Sequence, residues 1–214
     1  MALRCLVFDC DGVLLDSVPV KTHAFGKLVE DYGEEAKKAM VEYHQAHGGV
    51  SRYQKFAWFY QNFLKRDITP PESEALSKRF ATICLEELKS CSLIKGALET
   101  LRFWQHKIPL YVCSGAPTEE QTSVLKSHNL DSFFEEILGS PPPKALLLQK
   151  IVEKAKVKPS QTLMVGDAFT DLKAAKEVGT LFYGVGSQLK GGDYPWGQDL
   201  TDLTSYIKSI SEKS

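Results

Sequence analysis

Residues 5–16 read Cys-Leu-Val-Phe-Asp-Cys-Asp-Gly-Val-Leu-Leu-Asp, and this stretch decides the fold. The apolar run at 6–8 predicts a buried strand of the parallel type. Asp9 and Asp11 follow it, and Gly12 gives the backbone the freedom to leave the strand directly after them. Two carboxylates at the end of a buried strand repel each other and are costly to desolvate, which indicates a divalent cation held by oxygen ligands. We therefore predict an Mg²⁺ site here, the alternative being a polar turn after a strand.

Composition limits the classes of protein that the chain can represent. Its 214 residues are 43% hydrophobic, which is enough to build a sizeable core. The 26 basic and 27 acidic residues give a net charge of -1, which argues against a nucleic-acid partner recognised through a general positive field. The 5 cysteines are odd in number and lack zinc-site spacing, as expected in a reducing compartment. No signal peptide or membrane-spanning run is recognisable, so we expect a cytoplasmic protein without a membrane partner.

Residues 17–90 have the apolar periodicity of helices and contain no convincing strand pattern. We expect an all-helical insert in which Gly33 ends the first helix and two prolines, Pro70 and Pro71, break the chain before the last. The predicted helices run over about 20–33, 34–46, 51–64 and 72–89. The aromatic residues of the third helix are expected to form the core of this insert.

From about residue 91 onward, helical and strand patterns alternate, which is typical of a parallel sheet with helices on both faces. The predicted strands cover 110–113, 163–165 and 181–183, and a short apolar segment runs through 133–138. Helices are expected over about 97–106, from Pro117 to about 128, after Lys144, and through Ala174 and Ala175. The three prolines at 141–143 are interpreted as a stiff connector before the helix at Lys144.

Polar side chains follow several of these strands, at the edge where open parallel sheets bind ligands. The segments concerned are Asp9 with Asp11, Ser114-Gly115, Lys144, and Asp167 with Asp171. Each has a simpler alternative: Ser114 as a helix cap, Lys144 as a solvated lysine, and the last two aspartates as capping acids. Their joint order nevertheless favours one common site.

In this order of segments, the chain resembles the haloacid dehalogenase superfamily, specifically its phosphatases with a small helical cap inserted after the first motif. The matching residues are Asp9-Cys10-Asp11-Gly12-Val13-Leu14, Ser114-Gly115, Lys144 and Gly166-Asp167-Ala168-Phe169-Thr170-Asp171. The resemblance implies an α/β fold with a Rossmann-like parallel-sheet core, formed by residues 1–16 and 91–214, and an all-helical cap formed by residues 17–90. True dehalogenases of the superfamily lack the second aspartate, so the presence of Asp11 implies phosphoryl transfer.

The resemblance also implies a division of labour between the aspartates. Asp9 would attack phosphorus and form an aspartyl-phosphate, and Asp11 would move protons as general acid and base. Mg²⁺ would be held by Asp9, by Asp167 and by the backbone carbonyl of Asp11, and would offset the repulsion between nucleophile and substrate.

The remaining motif residues would bind the phosphate group. Ser114 and the Gly115 N–H would donate hydrogen bonds to phosphate oxygens, and Lys144 would add a fixed positive charge. Asp171 would orient Lys144 or metal-bound water from outside the ligand set.

The substrate is expected to be a small phosphorylated metabolite, and the sequence leaves its identity and the oligomeric state open. Residues 49–52 resemble the substrate loop of β-phosphoglucomutases, whose arginine grips a distal phosphate, so Arg52 is a candidate substrate-binding residue; the alternative is an exposed helix-start residue. Those mutases commonly carry histidine where this chain has Lys21, whereas residues 16–19 resemble the phosphoglycolate-phosphatase branch. We therefore predict a Mg²⁺-dependent phosphatase, with a phosphosugar mutase as the alternative and a receiver-like signalling domain as a third interpretation that the segment order disfavours.

Overall fold

A six-stranded parallel sheet forms the centre of the protein in the computed structural model, which describes residues 2–212. The strands are β1 (Cys5–Phe8), β2 (Leu110–Pro117), β3 (Glu136–Ser140), β4 (Thr162–Gly166), β5 (Leu181–Val185) and β6 (Trp196–Gly197). Their spatial order is β3-β2-β1-β4-β5-β6. Because β1 lies between β2 and β4, the carboxyl ends of these three strands meet at one edge of the sheet.

Four α-helices lie in residues 17–90, after β1, as the periodicity of the insert predicts. They are α1 (Val18–Leu28), α2 (Glu34–Ala46), α3 (Arg52–Asn62) and α4 (Pro70–Ser90). Phe56 and Phe59 of α3 are buried, which confirms the prediction of an aromatic core. Pro70 and Pro71 do not precede α4 but begin it, because proline suits the first helical turn and Thr69 caps that turn together with Glu72.

Five further helices surround the sheet: α5 (Ala97–Trp104), α6 (Thr118–Ser127), α7 (Lys144–Ala155), α8 (Phe169–Val178) and α9 (Leu203–Glu212). Side chains of α7 and α8 pack with Val7 and Met164 on one face. Side chains of α5, α6 and α9 pack with Leu6 and Leu163 on the other, as does the aromatic core of the insert. Helices therefore cover both faces, and the predicted α/β class is confirmed.

The structure differs from the sequence-based prediction in three places. Strand β2 continues to Pro117 and contains Ser114 and Gly115, with an irregular register between Cys113 and Pro117. Strand β3 begins at Glu136, since residues 131–133 form a short helical turn. Strand β6 and helix α9 were not predicted, and β6 has only two residues and little pattern of its own. Within residues 2–212, no helix combines the length and apolar character needed to cross a membrane.

Candidate active site

The edge of the sheet brings Asp9 and Lys144 into direct contact, although 135 positions separate them in the chain. Asp9 directly follows β1, and Lys144 is the first residue of α7. The Lys144 ammonium donates to Oδ2 of Asp9 at 2.6 Å, and the backbone N–H of Cys10 donates to Oδ1 at 2.7 Å. Both side chains are buried. The solvated-lysine alternative for Lys144 is therefore wrong, and the Asp9 carboxylate is held in one orientation.

Asp9, Asp167 and Asp171 form a cluster in which one carboxylate oxygen of each residue lies within 4.8 Å of those of the other two. Lys144 also contacts Asp171, which in turn accepts the Ala168 N–H at 3.1 Å and so caps α8 as the sequence alternative suggests. Burial, opposed by Lys144, raises the pKa of Asp9 to about 7. Burial and then the charge of Asp9 raise the pKa of Asp167 well above its ordinary value. Two buried carboxylates thus contact one ammonium, and the half-buried Asp167 lies beside them.

This donor set suits a hard divalent cation. The donor atoms of the cluster are carboxylate oxygens, which hard divalent cations take in preference to nitrogen or sulfur. The negative charge of three carboxylates also exceeds the positive charge of the lysine that contacts the cluster. Gly12 contributes by close approach, since it has φ +77° and a Cβ there would lie 2.2 Å from Oδ2 of Asp167. Only glycine lets the first loop pass so close to the cluster.

The Asp11 carboxylate lies outside this cluster and has partners of its own. It accepts hydrogen bonds from Ser17 Oγ at 2.5 Å, Lys21 Nζ at 2.6 Å and Gln121 Nε2 at 3.1 Å. Burial would raise the pKa of Asp11, but the charge and hydrogen bond of Lys21 outweigh it, and the pKa is lowered. Lys21 belongs to α1, so a helix of the insert fixes the second aspartate of the first motif.

Ser114 is fully buried, and its Oγ accepts hydrogen bonds from the Ala116 N–H at 3.1 Å and from Gln121 Nε2 at 3.0 Å. The N-cap of α6 is Pro117, which means that the helix-cap alternative for Ser114 is wrong. At Gly115, a Cβ would lie 2.4 Å from the carbonyl oxygen of Gly49. The second motif therefore lies directly against the loop that precedes α3.

Arg52 is 4% exposed, which excludes the alternative of an exposed helix-start residue. Its guanidinium donates to Glu120 Oε1 at 2.5 Å and lies 4.5 Å from the ring centre of Phe80. Glu120 belongs to α6, so this ion pair joins α3 to the sheet region. The charge of Arg52 is thus already neutralised by a carboxylate of the protein.

One cavity of about 550 Å³ connects the carboxylates to the helical insert. From the sheet side it is lined by Asp9, Asp11, Gly115 and Asp167, and from the insert chiefly by Lys21, Phe25, His44, Gly49, Arg52, Lys55 and Phe80. Its volume lies within the range of about 300–1,000 Å³ that is usual for small-molecule sites. A small ligand in it would contact both parts of the chain.

Several residues in or next to this cavity were missed by the sequence-based prediction of site residues. Ser17 and Lys21 bind Asp11, Gln121 joins Asp11 to Ser114, and Lys55 contacts His44. A usable signal exists only for Ser17 and Lys21, which are four positions apart and therefore share a helix face. The other contacts depend on how separate helices pack.

Comparison with known proteins identifies a matching family and several similar proteins. A family model described as haloacid dehalogenase-like hydrolase matches residues 3–179. A phosphoglycolate phosphatase of Vibrio parahaemolyticus is 26% identical over 192 residues, which are 86% of this chain and 83% of that protein. A phosphorylated carbohydrates phosphatase of Thermotoga maritima is 24% identical over 198 residues, covering 89% and 88% of the two chains.

Solved structures share the fold at lower identity. A β-phosphoglucomutase of Clostridium difficile superposes with a TM-score of 0.80 at 17% identity, covering 99% of this chain and 98% of that one. A haloacid dehalogenase superfamily hydrolase of subfamily IA from Geobacter sulfurreducens gives 0.67 at 20% identity, with 96% of each chain covered. The expected Rossmann-like fold and the expected resemblance to the haloacid dehalogenase superfamily are confirmed. Since the family model spans most of its length, this chain belongs to the haloacid dehalogenase-like hydrolase family.

Proposed function

We propose that the protein hydrolyses a small phosphorylated metabolite in an Mg²⁺-dependent reaction that passes through an aspartyl-phosphate on Asp9. The family and the phosphatase relatives make it a phosphoric monoester hydrolase. The observation that carries the finer proposal is the arrangement of Asp9, which shares a carboxylate cluster with Asp167 while Lys144 fixes its orientation. A buried, oriented carboxylate beside a cation site is suited to attack on phosphorus.

In the first step, Asp9 would form a bond to phosphorus as the bond from phosphorus to the leaving alkoxide breaks. The contacts from Cys10 N–H and Lys144 hold the attacking carboxylate in place before substrate binds. Gly115 lines the cavity and Ser114 directly precedes it; both would donate to phosphate oxygens, with Lys144 supplying positive charge. Asp171 would keep Lys144 in position through their direct contact.

Asp11 would serve as the proton carrier for both steps. It has no contact with Lys144 and instead accepts from Ser17, Lys21 and Gln121, which leaves it separate from the nucleophile. It would give a proton to the departing alkoxide and then accept one from the water that hydrolyses the aspartyl-phosphate. The approach of a phosphate dianion favours the protonated acid that the first step requires.

The metal would be held by the carboxylates of Asp9 and Asp167 and, as the family resemblance implies, by the backbone carbonyl of Asp11. When bound, Mg²⁺ supplies positive charge that offsets the repulsion between an anionic nucleophile and an anionic substrate. The close approach of Gly12 to Asp167 supports this arrangement, since it brings the first and fourth motifs together.

We also propose the two-part division in which residues 17–90 cover the site and residues 1–16 and 91–214 carry it. Supporting contacts run from α1 to Asp11, from the loop before α3 to Gly115, and from α3 to α6. The mutase alternative receives less support, because Arg52 is paired with Glu120 and Lys21 replaces the expected histidine. The receiver-like interpretation does not accommodate an insert of four helices after β1.

Removal of divalent metal is expected to stop turnover. Protein treated with EDTA and then desalted should hydrolyse p-nitrophenyl phosphate at background rate, and added Mg²⁺ should restore the activity. The assay is release of p-nitrophenolate, run beside a panel of phosphorylated sugars, 2-phosphoglycolate, nucleotides and pyrophosphate. Full turnover in excess EDTA would contradict the metal-dependent mechanism, and no turnover of any monoester with Mg²⁺ would contradict the proposed function.

Lys144→Met is expected to lower kcat/KM by roughly 10²-fold, because an ammonium that neutralises developing charge in a buried site is lost. Methionine preserves the length and the apolar stem of the side chain. The matched control is Lys150→Met, which changes an exposed lysine of the same helix. Circular dichroism of both variants checks the fold, and unchanged kinetics in folded Lys144→Met would remove this lysine from the site.

A further inference from the structure

A buried lysine and a buried histidine of the helical insert form a pair in the wall of the cavity. Nζ of Lys55 in α3 lies 2.8 Å from Nδ1 of His44 in α2, within hydrogen-bond distance. The two residues are 2% and 8% exposed, yet both line the cavity that contains Asp9. Neither belongs to the motif residues used in the proposed mechanism.

The chemistry of this contact fixes the protonation of the histidine. A lysine ammonium can only donate, so Nδ1 of His44 accepts and its ring proton lies on Nε2. Burial, and next the charge of Lys55, lower the pKa of His44 to about 3, which keeps the imidazole neutral. The Nε2 atom is buried and has no hydrogen-bond partner among the described residues. The pair therefore presents donors and one positive charge, and no free acceptor.

Lys55 differs from the other basic side chains of lysine and arginine in this cavity wall. Lys21 is paired with Asp11 at 2.6 Å, and Arg52 is paired with Glu120 at 2.5 Å. Within residues 2–212, no carboxylate lies at salt-bridge distance from Lys55. Its other contact is the ring of Phe25, at 5.2 Å from the ring centre.

A buried ammonium without a counter-charge is costly, and a bound anion removes that cost. Burial, and next the positive charge of Lys21, lower the pKa of Lys55 to about 7, which agrees with a site that lacks its anion. The charges of Asp11 and Asp167 also act on Lys55, so it lies within the electrostatic field of the carboxylate cluster. A phosphate group at the carboxylate cluster and an anionic group at Lys55 would therefore belong to one small molecule.

We propose that Lys55, oriented by His44, binds an anionic group carried by the leaving alcohol of the substrate. The substrate class is then phosphate monoesters with a second acidic group, either a carboxylate or another phosphate. The inference rests on the proposed function, since it requires the phosphate ester to react at Asp9. It also assigns to Lys55 the charge recognition that the sequence suggested for Arg52, whose guanidinium is occupied by Glu120.

The test uses three two-carbon monoesters that differ only at the far end: 2-phosphoglycolate, ethylene glycol bisphosphate and 2-hydroxyethyl phosphate. Each is assayed with wild type, Lys55→Met and Lys27→Met, an exposed-lysine control on α1. Loss of a buried charge-assisted hydrogen bond is expected to lower kcat/KM roughly 10- to 100-fold for an anionic substrate, mainly through KM. The hydroxyl substrate should be unaffected, as should every substrate with Lys27→Met.

His44 is tested as a positioning residue. His44→Leu is expected to raise KM for the same anionic substrate with little change in kcat, because Lys55 loses its acceptor. His44→Asn should restore KM, since its side-chain oxygen can accept from Nζ in place of Nδ1. If His44 had only a general structural role, its replacement would change KM equally for the anionic and the hydroxyl substrates.

The outcomes separate the inference from the proposed function. A loss confined to 2-phosphoglycolate supports a carboxylate, and a loss confined to the bisphosphate supports a second phosphate. Equal losses on all three substrates, or unchanged kinetics in Lys55→Met, would overturn the inference while leaving the phosphatase proposal in place. If wild type with Mg²⁺ hydrolyses none of the three nor p-nitrophenyl phosphate, both fail. Thermal unfolding of Lys55→Met verifies folding, which an apolar replacement of a buried charge usually permits.

Discussion

Replacing Asp9 with asparagine is expected to reduce phosphate-ester turnover by about 10⁴-fold or more while leaving the fold intact. The amide has the same shape as the carboxylate and can still accept the Cys10 N–H through its oxygen. It cannot act as an anionic nucleophile, and it removes one oxygen ligand from the cluster with Asp167. Because Asp9 carries the bond-forming atom, no other residue of the site can compensate.

Three measurements test this expectation. Steady-state assays compare Asp9→Asn with Asp193→Asn, an exposed aspartate far along the chain that serves as the matched control. Peptide mass spectrometry of acid-quenched wild type during turnover should find the phosphoryl group on Asp9. Thermal unfolding should remain close to wild type, since the substitution relieves repulsion among buried carboxylates. Wild-type rates from Asp9→Asn, or a phosphoryl group on another residue, would eliminate the proposed nucleophile.

The convergence of Asp9, Lys144 and Asp167 follows from sequence because parallel strands share one edge. Each lies at or shortly after the carboxyl end of a predicted strand, and the order of strands around β1 then brings them together. The same argument gives the α/β class, since alternating helix and strand patterns specify a sheet covered on both faces. These features are encoded in local periodicity and in topology.

The pairs that line the cavity from the insert could not be predicted in this way. Arg52 and Glu120 are 68 positions apart and meet only because α3 packs near α6. Lys55 and His44 lie on successive helices whose facing sides depend on the angle between them. Helical periodicity identifies an apolar face but does not say which polar residue at its border meets which partner. The sequence therefore could not predict which charged side chains of the cavity wall are paired with each other.

Strand and helix ends show a related limit. The second strand was predicted to end at Cys113, yet the irregular register beyond that residue lets the strand continue to Pro117. Proline was predicted to break the chain before α4, but it begins the helix because Thr69 and Glu72 supply the cap. In both cases the local preference of the residue type is correct. The position of that residue relative to a bulge or a helix cap decides where the strand ends or the helix begins.

Asp11→Asn is expected to lower kcat by roughly 10²–10⁴-fold for an alkyl phosphate, because the departing alkoxide then lacks its proton donor. The contacts of Asp11 with Ser17, Lys21 and Gln121 include no nucleophile, so bond formation at Asp9 should remain possible. p-Nitrophenolate is a stable anion and leaves without a proton. Its release should therefore survive the substitution, whereas hydrolysis of the aspartyl-phosphate should not.

Stopped-flow kinetics can separate these two steps. With p-nitrophenyl phosphate, Asp11→Asn should release a burst of p-nitrophenolate stoichiometric with enzyme and then turn over slowly, because water lacks its general base and the phosphorylated enzyme accumulates. Asp16→Asn, which changes an exposed aspartate near the same loop, is the control and should give wild-type kinetics. Equal slowing of both steps would show that Asp11 acts on the nucleophile or the metal instead of on protons, and wild-type kcat on alkyl phosphates would remove it from the mechanism.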